Sequence, residues 1–181
     1  MPTNKQQPNT RIGYGFDSHE FRAGIPLKIG GVKLAHDKGL GGHSDGDVLL
    51  HAITDALLGA IAAPDIGALF PPSDPKWKGA DSVVFLREAL DRTRRAGYKV
   101  SNLDSSLILA APKIGPHSAA IRGRVAELLG IESDCVGLKA KTPEGLGLDN
   151  AAIAHVVVLL ERVSHSGKVR TKKSLKKNKK K

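Results

Sequence analysis

Apolar residues recur at helical spacing in three parts of the chain, each with a recognisable start or stop. Asp and Ser residues precede the first apolar stretch as natural N-caps, Gly97 ends the second stretch, and Gly130 ends the third. The pattern predicts helices from Val48 to Ile61, from Asp81 or Ser82 to Gly97, and from about Ser118 to Leu129.

Between and around these helices lie runs rich in β-favouring residues. The segment from Leu27 to Leu34 alternates apolar and polar residues on either side of Gly-Gly, which is typical of a hairpin. The pattern predicts further strands at Arg11–His19, Val100–Ala111, Val136–Lys141 and Ala152–Val163, and irregular loops at 64–67, 71–75 and 142–150. The order of elements predicts an α+β fold: a small mixed sheet with helices packed on one face.

Length and charge divide the chain into three parts. The 181 residues suffice for one domain with a proper core, which we assign to residues 11–163. Residues 1–10 are polar, rich in Pro, Asn and Gln, and predicted to be a disordered extension rather than a secretory signal. Residues 164–181 carry nine Lys or Arg and no acid. Subtracting these nine from the net charge of +10 leaves +1 for the rest, so a disordered basic tail holds the excess.

Cysteine usage and hydropathy limit the compartment. Cys135 is alone, which excludes an internal disulfide and favours a reducing, cytoplasmic location. No apolar run approaches the length of a membrane span, so no membrane association is expected.

Candidate chemistry concentrates at the start of the first predicted helix, where two His and two Asp fall within residues 43–51. Upstream, Asp17 and His19 lie two apart on a predicted strand and therefore point the same way. With His51 they would form an Asp-His-His set that leaves a fourth metal position open, as catalytic zinc sites do. Taken alone, each half is weak, because Asp-x-His most often ends a surface strand and a helix His is usually packed or solvated.

Several spaced motifs occur together in one order: Gly15-Phe16-Asp17-Ser18-His19-Glu20-Phe21, His43-Ser44-Asp45-Gly46-Asp47-x-x-x-His51, Thr54-Asp55-Ala56-Leu57-Leu58-Gly59-Ala60, Asp65-Ile66-Gly67-Ala68-Leu69-Phe70-Pro71 and Lys78-Gly79-Ala80-Asp81-Ser82. With them the chain resembles the 2-C-methyl-D-erythritol 2,4-cyclodiphosphate synthases over roughly residues 11–163. The number and order of these motifs make the resemblance specific.

The resemblance implies roles for individual residues. Asp17, His19 and His51 match zinc ligands, and His43 and Ser44 match residues that contact the substrate phosphate. Thr142 and Glu144 match catalytic positions that bridge the nucleotide phosphates, Glu144 through a second divalent cation, for which magnesium or manganese is suited. The other implied substrate contacts are Asp65 and Gly67 at the sugar or erythritol part, and Leu109, Ala111, Pro112, Lys113, Ile114, Gly115 and Lys141 around the cytidine nucleotide.

Two further expectations concern phosphate binding and His51. We expect Ser44 and the amides after it at a helix start, where free N–H groups favour an anion. We expect Asp47 either to orient the His51 imidazole or to act simply as a helix N-terminal carboxylate.

The activity implied is intramolecular phosphoryl transfer on a cytidine diphosphate substrate, with release of CMP, in non-mevalonate isoprenoid precursor synthesis. The resemblance also implies a homotrimer with active sites at subunit boundaries. The chain departs from the family pattern in having Thr142-Pro143-Glu144 in place of Thr-Thr-Glu, and a shortened loop after Gly147 that lacks an arginine. That departure leaves open which ligand, if any, binds along the trimer axis.

Two alternatives remain open on the residues alone. The same three ligands suit another metallohydrolase or a non-haem iron enzyme. The basic tail could instead make the chain an RNA-binding or acidic-surface module, although the tail has no aromatic residue on which a base could stack, so any nucleic-acid binding is expected to be weak.

Overall fold

The computed structural model describes residues 7–163. In chain order its elements are β1 (Thr10–Ala23), β2 (Leu27–Ile29), β3 (Val32–Leu34), β4 (Lys38–Leu40), α1 (Val48–Ala60), α2 (Ile66–Leu69), α3 (Ser82–Arg95), β5 (Tyr98–Leu109), α4 (Ser118–Leu129), β6 (Val136–Lys141) and β7 (Ala151–Arg162). Short 3-10 turns lie at Pro75–Trp77, Gly115–His117 and Ser133–Cys135. No helix within residues 7–163 is both long enough and apolar enough to cross a membrane.

Five strands form one mixed sheet in the order β4-β1-β7-β5-β6, and β2 pairs with β3 in a separate hairpin. Strands β5 and β6 are parallel, whereas the other neighbours are antiparallel. The inner face of the sheet packs on the helices, while the outer face exposes the apolar side chains of Ile12, Tyr14, Phe16 and Val157. The predicted α+β class, the mixed sheet and the one-sided helix packing are confirmed.

Two glycines on β1 allow α1 to approach the sheet closely. A Cβ atom at Gly13 would lie 1.8 Å from the carbonyl oxygen of Ala56, and one at Gly15 would lie 1.9 Å from that of Ala52. No residue with a side chain fits at these distances. The close contact places the end of β1, which carries Asp17 and His19, beside the first turns of α1.

The boundaries of the described elements refine the sequence expectations. Strand β1 is longer than predicted, and β5 begins at Tyr98 and ends at Leu109 rather than spanning 100–111. At the N-terminus, Thr10 belongs to β1, and the carbonyl oxygens of Pro8 and Asn9 accept hydrogen bonds from the Tyr98 hydroxyl and the Arg162 amide. Residues 1–6 of the predicted extension and the predicted tail at 164–181 lie outside the described residues.

The expectation that residues 64–67 lack regular structure was wrong, whereas of residues 71–75 only Pro75 belongs to a regular element, a 3-10 turn. Asp65 caps α2 by accepting a hydrogen bond from the Ala68 amide at 2.8 Å, and Asp55 of α1 accepts one from the Ile66 amide at 2.8 Å. Asp74 similarly caps the 3-10 turn that begins at Pro75, a residue whose fixed φ suits the first turn of a helix. The prolines therefore begin and separate short helical turns instead of preventing them.

Asp47 is the N-cap of α1 and does not orient His51. Its buried carboxylate accepts hydrogen bonds from the amides of Leu50 (3.1 Å), Gly30 (2.8 Å) and Gly31 (2.7 Å). Of the two roles considered for this residue, the helix N-terminal carboxylate is the one that the structure supports. Asp47 joins the hairpin turn between β2 and β3 to the start of α1.

We expect Asp47→Ala to lower the free energy of unfolding by about 3–5 kcal/mol, because three amides lose their acceptor in a buried site. The matched control is Asp81→Ala, which removes the exposed N-cap of α3, one hydrogen bond to the Val83 amide and an ion pair with Lys28 at 3.5 Å, at a cost of about 1 kcal/mol. Urea unfolding of both variants measures the difference. Equal losses would contradict the joining role of Asp47.

Candidate active site

Three side chains from two elements converge at one end of the sheet. Asp17 and His19 lie on β1, and His51 lies in the second turn of α1. Asp17 Oδ2 is 2.9 Å from His19 Nε2 and 2.9 Å from His51 Nδ1, and these two nitrogens are 3.0 Å apart. The structure thus brings together the three residues that the Asp-His-His hypothesis named, and they form the one such cluster found among residues 7–163.

This donor set fits a metal ion. A tetrahedral zinc ion with bonds of about 2.0–2.1 Å holds its ligand atoms roughly 3.3 Å apart, close to the observed triangle. One carboxylate and two imidazoles without a thiolate leave a net positive charge on such an ion, which suits a phosphate ligand. The set does not distinguish zinc from other transition metals that accept nitrogen and oxygen ligands.

Contacts within the triad shift the pKa values of Asp17 and His19. Burial opposes ionisation of Asp17, but hydrogen bonds from His19 and His51 outweigh it and lower the pKa of Asp17 to about 2. Burial likewise opposes protonation of His19, but the hydrogen bond to Asp17 and its negative charge raise the pKa of this imidazole above its usual value. The carboxylate is therefore ionised and able to serve as a ligand at neutral pH.

A cavity of about 210 Å³, the histidine pocket, opens beside the triad. It is lined by His19, His43, Ser44, His51, Ile66, Gly67, Phe70, Pro72, Trp77 and Phe85. The rings of Phe70, Trp77 and Phe85 contact one another at centroid distances of 4.7–5.7 Å and form an apolar wall. Such a wall limits the access of water to the triad.

Two buried nitrogens in this pocket point to a polar ligand. Among residues 7–163, His43 Nε2 and Trp77 Nε1 are buried and have no hydrogen-bond partner. Buried donors are nearly always satisfied, so an unpaired one beside a cavity is a candidate ligand contact. His43 lies where the resemblance predicts a phosphate contact.

Ser44 lies beside the triad, with its Oγ 2.9 Å from His51 Nε2. The expected anion site at the amides after Ser44 is corrected by the structure. The Asp45 amide donates to the Ala80 carbonyl oxygen at 3.0 Å, and the Asp47 carboxylate occupies the N-terminus of α1. A phosphate at this place would therefore meet side chains rather than the helix N-terminus.

A second cavity of about 430 Å³, the β5–β6 pocket, lies where β5 and β6 end. It is lined by Leu109, Ala110, Pro112, Lys113, Ile114, Gly115, Pro116, Ala140, Lys141, Thr142 and Glu144. Thr142 donates a hydrogen bond from its hydroxyl to the Glu144 carboxylate. Glu144 has a φ of +51°, a left-handed conformation that is uncommon outside glycine and that clusters at functional sites. Two lysines at the rim favour an anionic ligand.

The remaining predicted contacts lie at the edges of these cavities. Gly67 lines the histidine pocket, whereas Asp65 is an exposed cap of α2 outside its lining. Ala111 does not line the β5–β6 pocket with its neighbours. It lines a separate surface depression with Phe21, His36, Lys38 and Asn150. His117 ends a 3-10 turn and caps α4, as the sequence predicted for a helix-start residue.

Sequence reasoning gave no role in the site to Ser82, Asp45 or Lys28. Ser82 was interpreted only as a helix start, yet its Oγ is 2.8 Å from His51 Nε2. The aromatic wall was missed as well. Ser82 is the last residue of the family motif Lys78–Ser82, and Trp77 directly precedes that motif. This motif was the sequence signal that could have placed both residues at the site.

The comparison with protein families decides the classification. The family model described as the YgbB family matches residues 10–161. This chain belongs to the YgbB family.

Curated relatives agree over most of their length. The chain is 70% identical over 152 residues to the 2-C-methyl-D-erythritol 2,4-cyclodiphosphate synthase of Koribacter versatilis (strain Ellin345), covering 84% of this chain and 98% of that one. It is 54% identical over 155 residues to the synthase of the same name from Bordetella avium (strain 197N), covering 84% and 96%.

Solved structures agree in fold. A structure of 2C-methyl-D-erythritol-2,4-cyclodiphosphate synthase superimposes with a TM-score of 0.79 at 46% identity, covering 83% of this chain and all of the other. A form of such a synthase with CDP bound superimposes with a TM-score of 0.79 at 44% identity, covering 83% of this chain and 100% of the other.

Proposed function

We propose that this protein is a 2-C-methyl-D-erythritol 2,4-cyclodiphosphate synthase. It converts 4-diphosphocytidyl-2-C-methyl-D-erythritol 2-phosphate to 2-C-methyl-D-erythritol 2,4-cyclodiphosphate and CMP, in non-mevalonate isoprenoid precursor synthesis. The observation that carries this function is the 70% identity to the Koribacter versatilis synthase over 98% of that enzyme. The Asp17, His19 and His51 cluster fits a metal-dependent reaction of this kind.

The chemistry explains why the reaction needs no strong general base. An oxygen of the 2-phosphate forms a bond to the β-phosphorus, the bond from that phosphorus to the bridging oxygen breaks, and CMP leaves with the electron pair. The nucleophile is already an anion, so the protein has to align the reacting atoms and neutralise charge.

The histidine pocket supplies the contacts to the 2-phosphate in this proposal. Asp17, His19 and His51 would hold a zinc ion, which when bound withdraws charge from phosphate oxygens. His43 donates its unpaired Nε2–H to a phosphate oxygen, and the Ser44 hydroxyl contacts the same group. The apolar wall of Phe70, Trp77 and Phe85 keeps water from competing as the nucleophile.

The β5–β6 pocket holds the cytidine diphosphate part in this proposal. The backbone from Leu109 to Gly115 contacts the cytosine, while Lys113, Lys141 and Thr142 contact phosphate oxygens. Glu144 would hold a magnesium or manganese ion together with the phosphates, since within residues 7–163 it is the one carboxylate that lines this pocket. The CDP-bound synthase structure supports a cytidine nucleotide as the ligand.

We also propose that the chain forms a homotrimer in which each active site combines the histidine pocket of one copy with the β5–β6 pocket of the next. The two pockets share no lining residue, and three strand spacings separate β1 from β6, about 14 Å. The outer sheet face exposes Ile12, Tyr14 and Phe16 by 71%, 57% and 48%, an apolar surface that a second copy would cover. Sedimentation equilibrium tests for a mass three times the 19.2 kDa of one chain.

Incubation of the purified protein with the cytidyl substrate tests the activity. We expect CMP and the cyclic diphosphate to appear in equal amounts, by chromatography and phosphorus NMR. An acyclic hydrolysis product in place of the cyclic one would favour the metallohydrolase alternative.

The tail is proposed to be separable from catalysis, because residues 164–181 carry the excess positive charge and no apolar pattern. A chain that ends at Val163 should retain its turnover within about twofold, while any salt-sensitive RNA binding is lost. Turnover and filter binding at two salt concentrations measure this. Loss of turnover on truncation would place the tail in the active assembly. The single cysteine keeps the cytoplasm as the proposed location.

A further inference from the structure

The imidazole of His51 has a second nitrogen that the proposed reaction does not use. Its Nδ1 faces Asp17 and His19, whereas its Nε2 lies 2.8 Å from Ser82 Oγ and 2.9 Å from Ser44 Oγ. When Nδ1 gives its lone pair to a metal ion, Nε2 carries the proton. One of these two hydroxyl oxygens therefore has to accept it.

The two hydroxyls differ in how they are held. Ser82 is fully buried, and its hydroxyl donates to Asp45 Oδ1, which also accepts the Ser82 backbone amide at 3.2 Å. With its hydrogen directed to Asp45, the Ser82 oxygen presents a lone pair to His51. Ser44 instead lines the histidine pocket. Within the described chain, the only hydrogen-bond partner of its hydroxyl besides His51 is the Gly46 amide at 3.5 Å. The Ser44 hydroxyl is free to turn to a ligand.

Asp45 is itself held in place. Its Oδ2 accepts a hydrogen bond from Lys28 Nζ at 2.9 Å, and its backbone amide donates to the Ala80 carbonyl oxygen at 3.0 Å. The side chain of Asp45 is only 13% exposed, so solvent competes little for these bonds. The chain of contacts from Lys28 to His51 thereby joins β2, the loop before α1 and the start of α3.

We propose that Ser82, anchored by Asp45 and Lys28, is a positioning residue that fixes the ring of His51 with Nδ1 facing Asp17 and His19, and thereby raises the affinity of this triad for its metal ion. This inference rests on the metal-dependent function proposed above. Hydrogen-bonding partners of this kind set the orientation of metal-binding histidines, and their loss typically lowers metal affinity 10–100-fold. Ser82 holds the ligand, which leaves Ser44 for the phosphate.

The experiment compares zinc affinity in three serine variants of the full chain by competition with a chromogenic chelator. We expect Ser82→Ala to weaken zinc binding by about 10–100-fold. The matched control is Ser105→Ala, another buried serine whose hydroxyl donates to the Gly137 carbonyl oxygen of the edge strand β6, three strands from β1, and it should bind zinc as the unaltered chain does. Ser44→Ala should lose turnover but keep its zinc affinity within about threefold.

A spectroscopic readout separates positioning from general destabilisation. The visible absorption of the cobalt-substituted protein should change in Ser82→Ala and stay unchanged in Ser105→Ala. Asp45→Asn keeps the size and shape of this side chain but removes its charge. It should also weaken zinc binding, by a smaller factor than Ser82→Ala does. If Ser82→Ala does not fold, the zinc affinity of Asp45→Asn decides the question.

Four results would overturn the inference. The first is zinc affinity and a cobalt spectrum in Ser82→Ala that equal those of the unaltered chain. The second is equal weakening in Ser82→Ala and Ser105→Ala, which would reveal a purely structural effect. The third is weakening in Ser44→Ala alone, which would make Ser44 the partner. The fourth is an unaltered chain that binds neither zinc nor cobalt yet forms the cyclic product, which would overturn the metal site, and this inference with it, while leaving the proposed activity intact.

Discussion

Replacing His51 with Ala should remove bound zinc and turnover together. Asp17 and His19 would remain on β1, but two ligands make a poorer site than the three that would hold the ion in the unaltered chain. A metal ion that neutralises phosphate charge contributes several kcal/mol to lowering the barrier, so we expect turnover to fall by about a thousandfold or more. Elemental analysis after dialysis and a turnover assay on the same sample measure both losses.

The control for this variant is His117→Ala. His117 occupies the N-cap position of α4, makes no cap hydrogen bond through its side chain and is not part of the triad, so its loss should leave the zinc content unchanged. Far-UV circular dichroism should show that both variants keep the fold, because α1 packs on β1 through its other buried residues. Full zinc occupancy in His51→Ala would refute the assignment of His51 as a ligand.

The triad was predictable because the family resemblance linked its two halves, each of which follows from a short-range rule. Alternation along a strand places Asp17 and His19 on one face, and His51 lies four residues after a helix cap. What joins the halves is long-range. The contact between β1 and α1 depends on Gly13 and Gly15, whose lack of a side chain permits an approach that no local pattern predicts.

The parts of the site that were missed are those set by tertiary packing. Ser82 is 31 residues from His51 in sequence, and only the packing of α3 against α1 brings its hydroxyl to the imidazole. For Asp47, tertiary packing replaced an interaction that the sequence suggested. Its spacing from His51 suggested a contact within the helix, but its carboxylate instead accepts hydrogen bonds from the amides of the β2–β3 turn.

The last prediction concerns Glu144, whose left-handed backbone and bond from Thr142 set it apart from an ordinary loop residue. We expect Glu144→Gln to keep its zinc content and to lower turnover by about 100-fold or more, because the cation that would neutralise phosphate charge during the reaction loses its protein ligand. The concentration of magnesium or manganese needed for half-maximal turnover should rise, since the second cation loses its protein carboxylate. A metal titration of turnover measures both effects.

The matched control is Glu132→Gln, an exposed glutamate outside the β5–β6 pocket, which should behave as the unaltered chain does. Unchanged turnover and metal dependence in Glu144→Gln would remove this residue from the reaction, while loss of zinc would mean that the two cation sites are not independent.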